Sequence, residues 1–443
     1  MLFFSHCHFI LLDVFPSTKE VPMKVNGIIA EYNPFHNGHS YQLKESLRLT
    51  EADYTIVAMS GNFVQRGAPA LLSKHARTEM ALRAGADLVL ELPTLYATSS
   101  AEYFAKGGVT LLDKLGVVTH LCFGSECGDI KLLQEIATIL SNESEEYSAT
   151  LKRFLSQGFS YPNARNWALV QHYPHMNEHQ RVFSSPNNIL GIEYCKALLS
   201  RESNITPFTI KRAGGEYHSR GWNQQLCSAL AIRHALQEGC DISQVCTHIP
   251  KEAAEILTNY MTDYTGLTAN DFSSLLYYKL LSEQEKGYEE YWDVSSDISD
   301  RIRKRLFECK DYDSFCDLLK TKEVTHTRIS RCLLHILLNI TKADMELGKS
   351  LDYVPYARVL GFRKDSAELL GVIKEHSSIP LISKLADAEN ILDENAYRLL
   401  KKDILVSEIY QGLLREKLQS SGDADATLKL LGKNEFTTPI VIV

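Results

Sequence analysis

The chain has 443 residues, a formal net charge of −8, 44% apolar residues and 23% charged ones. That balance excludes a disordered or collagen-like chain, and the length suggests two or three domains. The acidic sum argues against a protein that coats nucleic acid without selectivity, so no DNA partner is expected. No run of about 18 apolar residues marks a membrane span.

Residues 1–22 (MLFFSHCHFILLDVFPSTKEVP) begin apolar, like a short export signal, but lack a basic start and a small-x-small cleavage site. They are read as a non-native or disordered extension, with Met23 as the expected native start. From there strands alternate with helical periods. Residues 24–30 (KVNGIIA) are a buried-strand candidate, and residues 40–49 space their apolar side chains as a helix does. Residues 54–59 (YTIVAM) make a second strand, closed by Ser60-Gly61-Asn62. A helix is expected at 73–84, a third strand at 87–92 stopped by Pro93, a helix at 101–115 and a fourth strand at 119–123 ending in Gly124. Residues 129–168 read as helical and residues 208–211 (FTIK) as a fifth strand.

This alternation implies an α/β fold, a Rossmann-like parallel sheet with right-handed crossovers, in which ligands bind beyond the carboxyl ends of the strands. Chemistry is therefore expected at residues 32–39, 60–67 and 124–126. Beyond residue 240 Pro and Gly thin out and helical periods dominate to about residue 415. The expected division is an α/β unit at 23–240 and a mostly helical one at 241–443. A turn or linker is read at 420–426, and the β-prone tail FTTPIVIV either docks on a sheet edge or stays loose. Ten scattered cysteines without a CxxC pair read as reduced thiols of a cytoplasmic protein, and no metal site is expected from them. No feature sets an oligomeric state.

The sharpest signal is the run Ala30-Glu31-Tyr32-Asn33-Pro34-Phe35-His36-Asn37-Gly38-His39 between the first strand and its helix. Its HxGH tetrad puts two imidazoles at a helix start, where the dipole and free N–H groups favour an anion. Gly38 lets a phosphate approach the backbone. Two histidine donors suit the charge that builds on an α-phosphate as pyrophosphate leaves. A second element, Ser228 to Arg233, places a hydroxyl at a helix start and a guanidinium one turn on, a grip for phosphates. Lys211 and Arg212, with Gly214-Gly215, offer a cationic loop or an ordinary strand exit. Pro186 can start a helix, and Asn187 and Asn188 can meet a ribose or base.

The HxGH run resembles the HIGH signature of nucleotidyltransferases and class I tRNA synthetases, and the Ser228–Arg233 segment resembles their ISSTxIR element, with Cys227 replacing its first serine. Together with MSGNFVQRG, ELP, CFGSE and SSPNNILGIEY, the chain resembles the bacterial tRNA(Met) cytidine acetate ligases. The likeness is strong over residues 23–194, good over 211–233, and loose at 327–338 and 356–362. It implies a nucleotidyltransferase domain at 23–240 that activates acetate with ATP, accompanied by Mg²⁺, as acetyl-adenylate. The acetyl group would pass to the exocyclic amine of the wobble cytidine of elongator tRNA(Met). On this resemblance ATP is held by Ile29, Ala30, Glu31, Tyr32, Asn33, Pro34, Phe35, His36, Asn37, Gly38, His39, Ser40, Tyr41 and Gln42, with Gly124, Asn187, Arg212 and Ser228. His36, His39 and Arg233 are the expected catalytic groups.

Acetate needs a tight apolar cup with one or two donors, for which the Ser60-Gly61-Asn62 turn, Gln65 and Arg66 are candidates. Arg301, Lys304 and Arg305 on one helical face, and Arg328 with Arg331, are candidate RNA-phosphate contacts of the helical part. The alternatives are a small-molecule adenylyltransferase on the same fold and a non-catalytic RNA-binding protein. Intact His36, Gly38, His39 and Arg233 speak against the latter.

Overall fold

The computed structural model describes residues 23–159, 161–212, 227–263, 266–421 and 431–443. Residues 1–22, the Gly214-Gly215 pair and most of the 420–426 segment lie outside the described residues. All five expected strands form: β1 (Val25–Ala30), β2 (Tyr54–Ser60), β5 (Leu88–Leu92), β6 (His120–Ser125) and β7 (Thr206–Lys211), with a short hairpin of β3 (Phe63–Val64) and β4 (Ala68–Pro69) between them. The chain beyond residue 241 is mostly helical, yet it adds β8 (Ala357–Phe362), β9 (Leu381–Ile382) and β10 (Val441–Ile442) to the same sheet. The expected linker at 420–426 begins inside a helix, Glu394–Ser421.

The sheet order is β10-β8-β5-β2-β1-β6-β7, with β9 beside β8. β1, β2, β5, β6 and β7 are mutually parallel, and β8 joins β5 antiparallel. The chain steps from β1 to β2 on one side and later returns to pair β6 on the other. β1 is therefore the point where strand order reverses, and a crevice opens at its carboxyl end and that of β6. The tail docks at the edge, Val441 beside Gly361 and Ile442 beside Phe362.

Alternation along the strands feeds two cores. Val25, Ile29, Ile56, Ala58, Leu88 and Leu90 face one layer, while Ile28, Val57, Met59 and Val89 face the other. Among the described residues no helix is long and apolar enough to cross a membrane.

Between β5, β8 and the long C-terminal helix lies a buried charge cluster. Lys74 Nζ is 2.8 Å from both oxygens of Glu91, 3.0 Å from Glu435 and 2.9 Å from Ser407 Oγ. Arg358 reaches Glu435 at 2.5 Å and Glu91 at 3.4 Å. Burial opposes the charge on Glu435, but Lys74 and Arg358 outweigh it and hold its carboxyl down at about 2. Asp403 accepts from the Thr94 N–H and the Tyr356 hydroxyl, and burial, with Glu91 next, pushes it up to about 6. Gly61 is required here, because a Cβ would stand 2.5 Å from Glu91 Oε1.

Glu435→Ala leaves two buried cations short of a partner and is expected to cost about 3–5 kcal/mol. Glu346→Ala, which breaks an exposed pair with Lys349 at 2.7 Å, should cost under about 1 kcal/mol. Urea unfolding of both variants checks the contrast, and equal losses would contradict the account of the cluster.

Candidate active site

The loop after β1 turns on Tyr32, whose φ of +49° is rare for a bulky side chain. Its ring packs edge-on against Phe35 and His39, each with centroids 4.8 Å apart. His36 then caps the helix Asn37–Thr50. Its Nδ1 accepts the Gly38 N–H at 3.0 Å, and the His36 N–H donates to Nδ1 of His39 at 3.3 Å. The two rings stack with centroids 3.7 Å apart.

Both Nδ1 atoms are thus acceptors, so each neutral ring carries its proton on Nε2. Desolvation, then the charges of Arg212 and Arg233, pushes His36 down to about 3. Desolvation, then His36 and Arg212, lowers His39 well below its ordinary value. The loop therefore holds two neutral N–H donors. Gly38 has a second reason beyond room for a ligand, since a Cβ there would meet the His36 ring at 2.8 Å.

These rings line a cavity of about 400 Å³ at the strand-order reversal. It gathers Ile29, Ala30, Glu31, Tyr32, Asn33, Gln42, Gly124, Asn187, Arg212, Ser228 and Arg233 from the expected set. Gly38 and Tyr41, with Lys211 and Arg212, line an adjoining cavity of about 50 Å³. Pro34, Phe35 and Ser40 are buried outside the cavity lining, and Asn37 instead bonds the carbonyls of His248 and Thr247. Ser228 caps the helix Ala229–Gln237 by accepting the Ala231 N–H, and Arg233 on that helix donates to the Asn33 carbonyl at 2.5 Å. Asn187 is oriented by Glu126, which takes its amide at 2.6 Å and the backbone N–H groups of Asn187 and Asn188, so that this carboxylate caps the helix Pro186–Ser200.

The expected RNA contacts divide. Arg301 donates to Asp297 and the Leu319 carbonyl, Arg305 pairs with Glu308, and Lys304 is exposed. Arg328 and Arg331 both lean on Asp293, and Arg331 lines the cavity itself, as do Gln65 and Arg66.

The chain matches the HIGH Nucleotidyl Transferase family over residues 23–425. It is 41% identical over 395 residues to the tRNA(Met) cytidine acetate ligase of Acetivibrio thermocellus, covering 88% of this chain and 94% of that one. The protein of that name from Clostridium kluyveri is 42% identical over 400 residues, covering 88% and 98%. The chain belongs to the tRNA(Met) cytidine acetate ligase family. Among solved structures, Thermotoga maritima TmcAL bound with α-thio ATP superposes with a TM-score of 0.86 at 32% identity, covering 95% of this chain and 100% of that one. Its apo form gives 0.87. The Rossmann-like reading of the fold is thereby confirmed.

The sequence gives no sign of Arg77, the fourth residue of the helix Lys74–Arg83. Fully buried, it donates to the carbonyls of Leu72 (3.0 Å), Glu31 (2.7 Å), Ser60 (3.0 Å) and Gly61. It thereby fastens the loops leaving β1 and β2. Glu126 falls in the 124–126 stretch where chemistry is expected, but nothing local shows that it orients Asn187 and caps that residue's helix.

Arg77→Lys keeps the charge but cannot reach four carbonyls at once. It should weaken nucleotide affinity by about tenfold or more and lower Tm. Calorimetric titration with ATP checks this, and unchanged affinity would remove the role given to Arg77.

A pH effect follows from the histidines. Their folded pKa values lie below the unfolded value of 6.5, so the unfolded chain gains protons first as pH falls. Their contribution is complete above pH 6.5 and declines toward about 3 for His36. The double variant His36→Asn, His39→Asn should lose less Tm than the parent between pH 7 and 5. An identical slope in both would mean that the rings are not held neutral.

Proposed function

We propose that the chain activates acetate with ATP and acetylates the exocyclic amine of the wobble cytidine of elongator tRNA(Met). The observation that carries this is the pair of neutral Nε2–H donors beside Arg212 and Arg233, at the strand-order reversal of a nucleotidyltransferase sheet. The names of the relatives, and the ATP analogue held by the Thermotoga protein, support it.

An acetate oxygen attacks the α-phosphorus of ATP. The bond to the bridging oxygen breaks, pyrophosphate departs with that electron pair, and acetyl-adenylate forms. His36 and His39 would donate to the α-phosphate as its charge grows, and Arg212 and Arg233 would hold the departing phosphates. The cytidine amine then attacks the acetyl carbon, AMP leaves and the amine gives up one proton. Two histidines held neutral still donate through Nε2–H, and those hydrogen bonds strengthen as negative charge builds on the α-phosphate.

Gly124 fits adenosine contact, since the nearest protein atom to a Cβ there is 3.4 Å away and the constraint would come from the ligand. Mg²⁺ would ride on the phosphates, as no three or more His, Cys, Asp or Glu converge into a metal site among the described residues. Arg301, Lys304 and Arg305 remain the proposed phosphate contacts for the tRNA.

ATP–pyrophosphate exchange with purified protein should depend on acetate, and labelled acetate should appear on tRNA. His39→Ala should lower exchange by about 10²-fold or more while the circular dichroism spectrum stays that of the parent. Exchange that ignores acetate would overturn the assignment in favour of a small-molecule adenylyltransferase, and no exchange would favour an RNA-binding protein.

A further inference from the structure

The nucleotide-binding groups leave four polar side chains of the cavity lining with no assigned task. These are Gln65 and Arg66, from the turn between β3 and β4, and Thr327 and Arg331, from the helix His326–Leu337. Thr327 and Arg331 are four apart and share one helical face. The turn docks tightly on this helix. Gly67, at φ +75°, has room for no side chain, because a Cβ would stand 2.5 Å from the Ser330 backbone, and its carbonyl accepts from Ser330 Oγ at 2.9 Å and from Tyr312 at 3.0 Å. The two pairs of polar side chains are therefore held together by backbone contact.

Their chemistry is that of a carboxylate site. Asp293 grips the Nε and Nη2 edge of Arg331 at 3.3 and 2.9 Å, which fixes the direction of the guanidinium. The backbone N–H of Gln65 is anchored on Glu31 at 2.8 Å, whereas its side-chain Nε2 is buried and has no hydrogen-bond partner among the described residues. A buried amide donor left unpaired is destabilising, and an acceptor supplied by a ligand would relieve it. Glu31 accepts that N–H through Oε1 and lines the same cavity, so the guanidinium groups offset its charge as well as that of an anionic ligand. Ala101 and Phe104 supply an apolar wall in the same cavity. A small anion with a short apolar tail fits two cations, an unsatisfied donor and such a wall.

We propose that Gln65, Arg66, Thr327 and Arg331 form the carboxylate subsite for the acyl substrate, with Ala101 and Phe104 limiting the length of its tail. This rests on the acetate activation proposed above. It gives Arg331 a task inside the cavity in place of an RNA contact. An RNA phosphate is the competing occupant, but a buried donor is better suited to a small ligand than to a polymer backbone.

The test is ATP–pyrophosphate exchange by the full chain, titrated separately with acetate, propionate and ATP, followed by transfer to tRNA at varied tRNA concentration. Gln65→Met, close in shape but without the donor, should raise the acetate KM by about tenfold or more, with the ATP KM within about twofold and the effect on KM rather than kcat. Arg331→Lys should lie between the parent and Arg331→Met. Phe104→Leu should improve propionate relative to acetate by about tenfold. Acetate KM unchanged in both Gln65→Met and Arg331→Met would overturn the subsite, and a change confined to the tRNA KM would give these residues to the RNA. Parent exchange that ignores acetate would instead bring down the underlying activity, and it is visible before any variant is made.

Discussion

One buried guanidinium sets the position of nearly everything in the site. Where β1 and β2 end, their last carbonyls have no following strand residue to pair with, and unpaired buried carbonyls are costly. Arg77 meets the carbonyls of Glu31, Ser60 and Gly61 from one planar fork, and binds its own helix entry through Leu72. The loop bearing His36 and His39 and the turn bearing Gln65 and Arg66 therefore leave the sheet from points fixed by the same side chain. Arg233 adds a second clasp on the first of these loops through the Asn33 carbonyl.

Electrostatics divide the molecule into two regimes. Between β5, β8 and the long C-terminal helix, opposite charges are buried in mutual contact and nearly balance. In the cavity, cations gather beside histidines that burial first, and then those cations, keep neutral. The first arrangement fastens elements remote in sequence. The second surrounds two uncharged donors with positive charge, the setting in which preorganised hydrogen bonds act most strongly.

Much of this was legible in the sequence, for physical reasons that differ by element. The strands of the N-terminal half were readable because both faces are buried, giving runs such as YTIVAM that no surface helix would carry. Tetrad and cap positions were readable because their spacing is local: His36, Gly38 and His39 interact within one turn, as do Ser228 and Ala231. β8 and β9 were lost in a helical background, since a short strand bordering helices has no period long enough to detect. Arg77 acts on partners distant in sequence and carries no local mark, and the place of Glu126 at a strand's carboxyl end does not reveal its partner 61 residues on. Arg331 reads as a candidate RNA-phosphate contact, and helical spacing does not reveal that its helix meets the turn at Gly67 or that it lines the cavity. The reason for Gly38 was half seen, since its clash is with the neighbouring imidazole as well as with an incoming phosphate.

The buried cluster also has a bearing on synthesis. Lys74 and Glu91 leave the ribosome early, whereas Glu435 is 344 residues beyond Glu91. Until that residue emerges, the sheet can assemble β1, β2 and β5, but two positive groups destined for the interior lack one of their counter-charges. Chains released short of it would carry the complete histidine loop on a scaffold that resists closing. A chain that ends before Glu435 would thus retain the histidine loop while leaving Lys74 and Arg358 short of a buried partner, which favours its open form over its closed one.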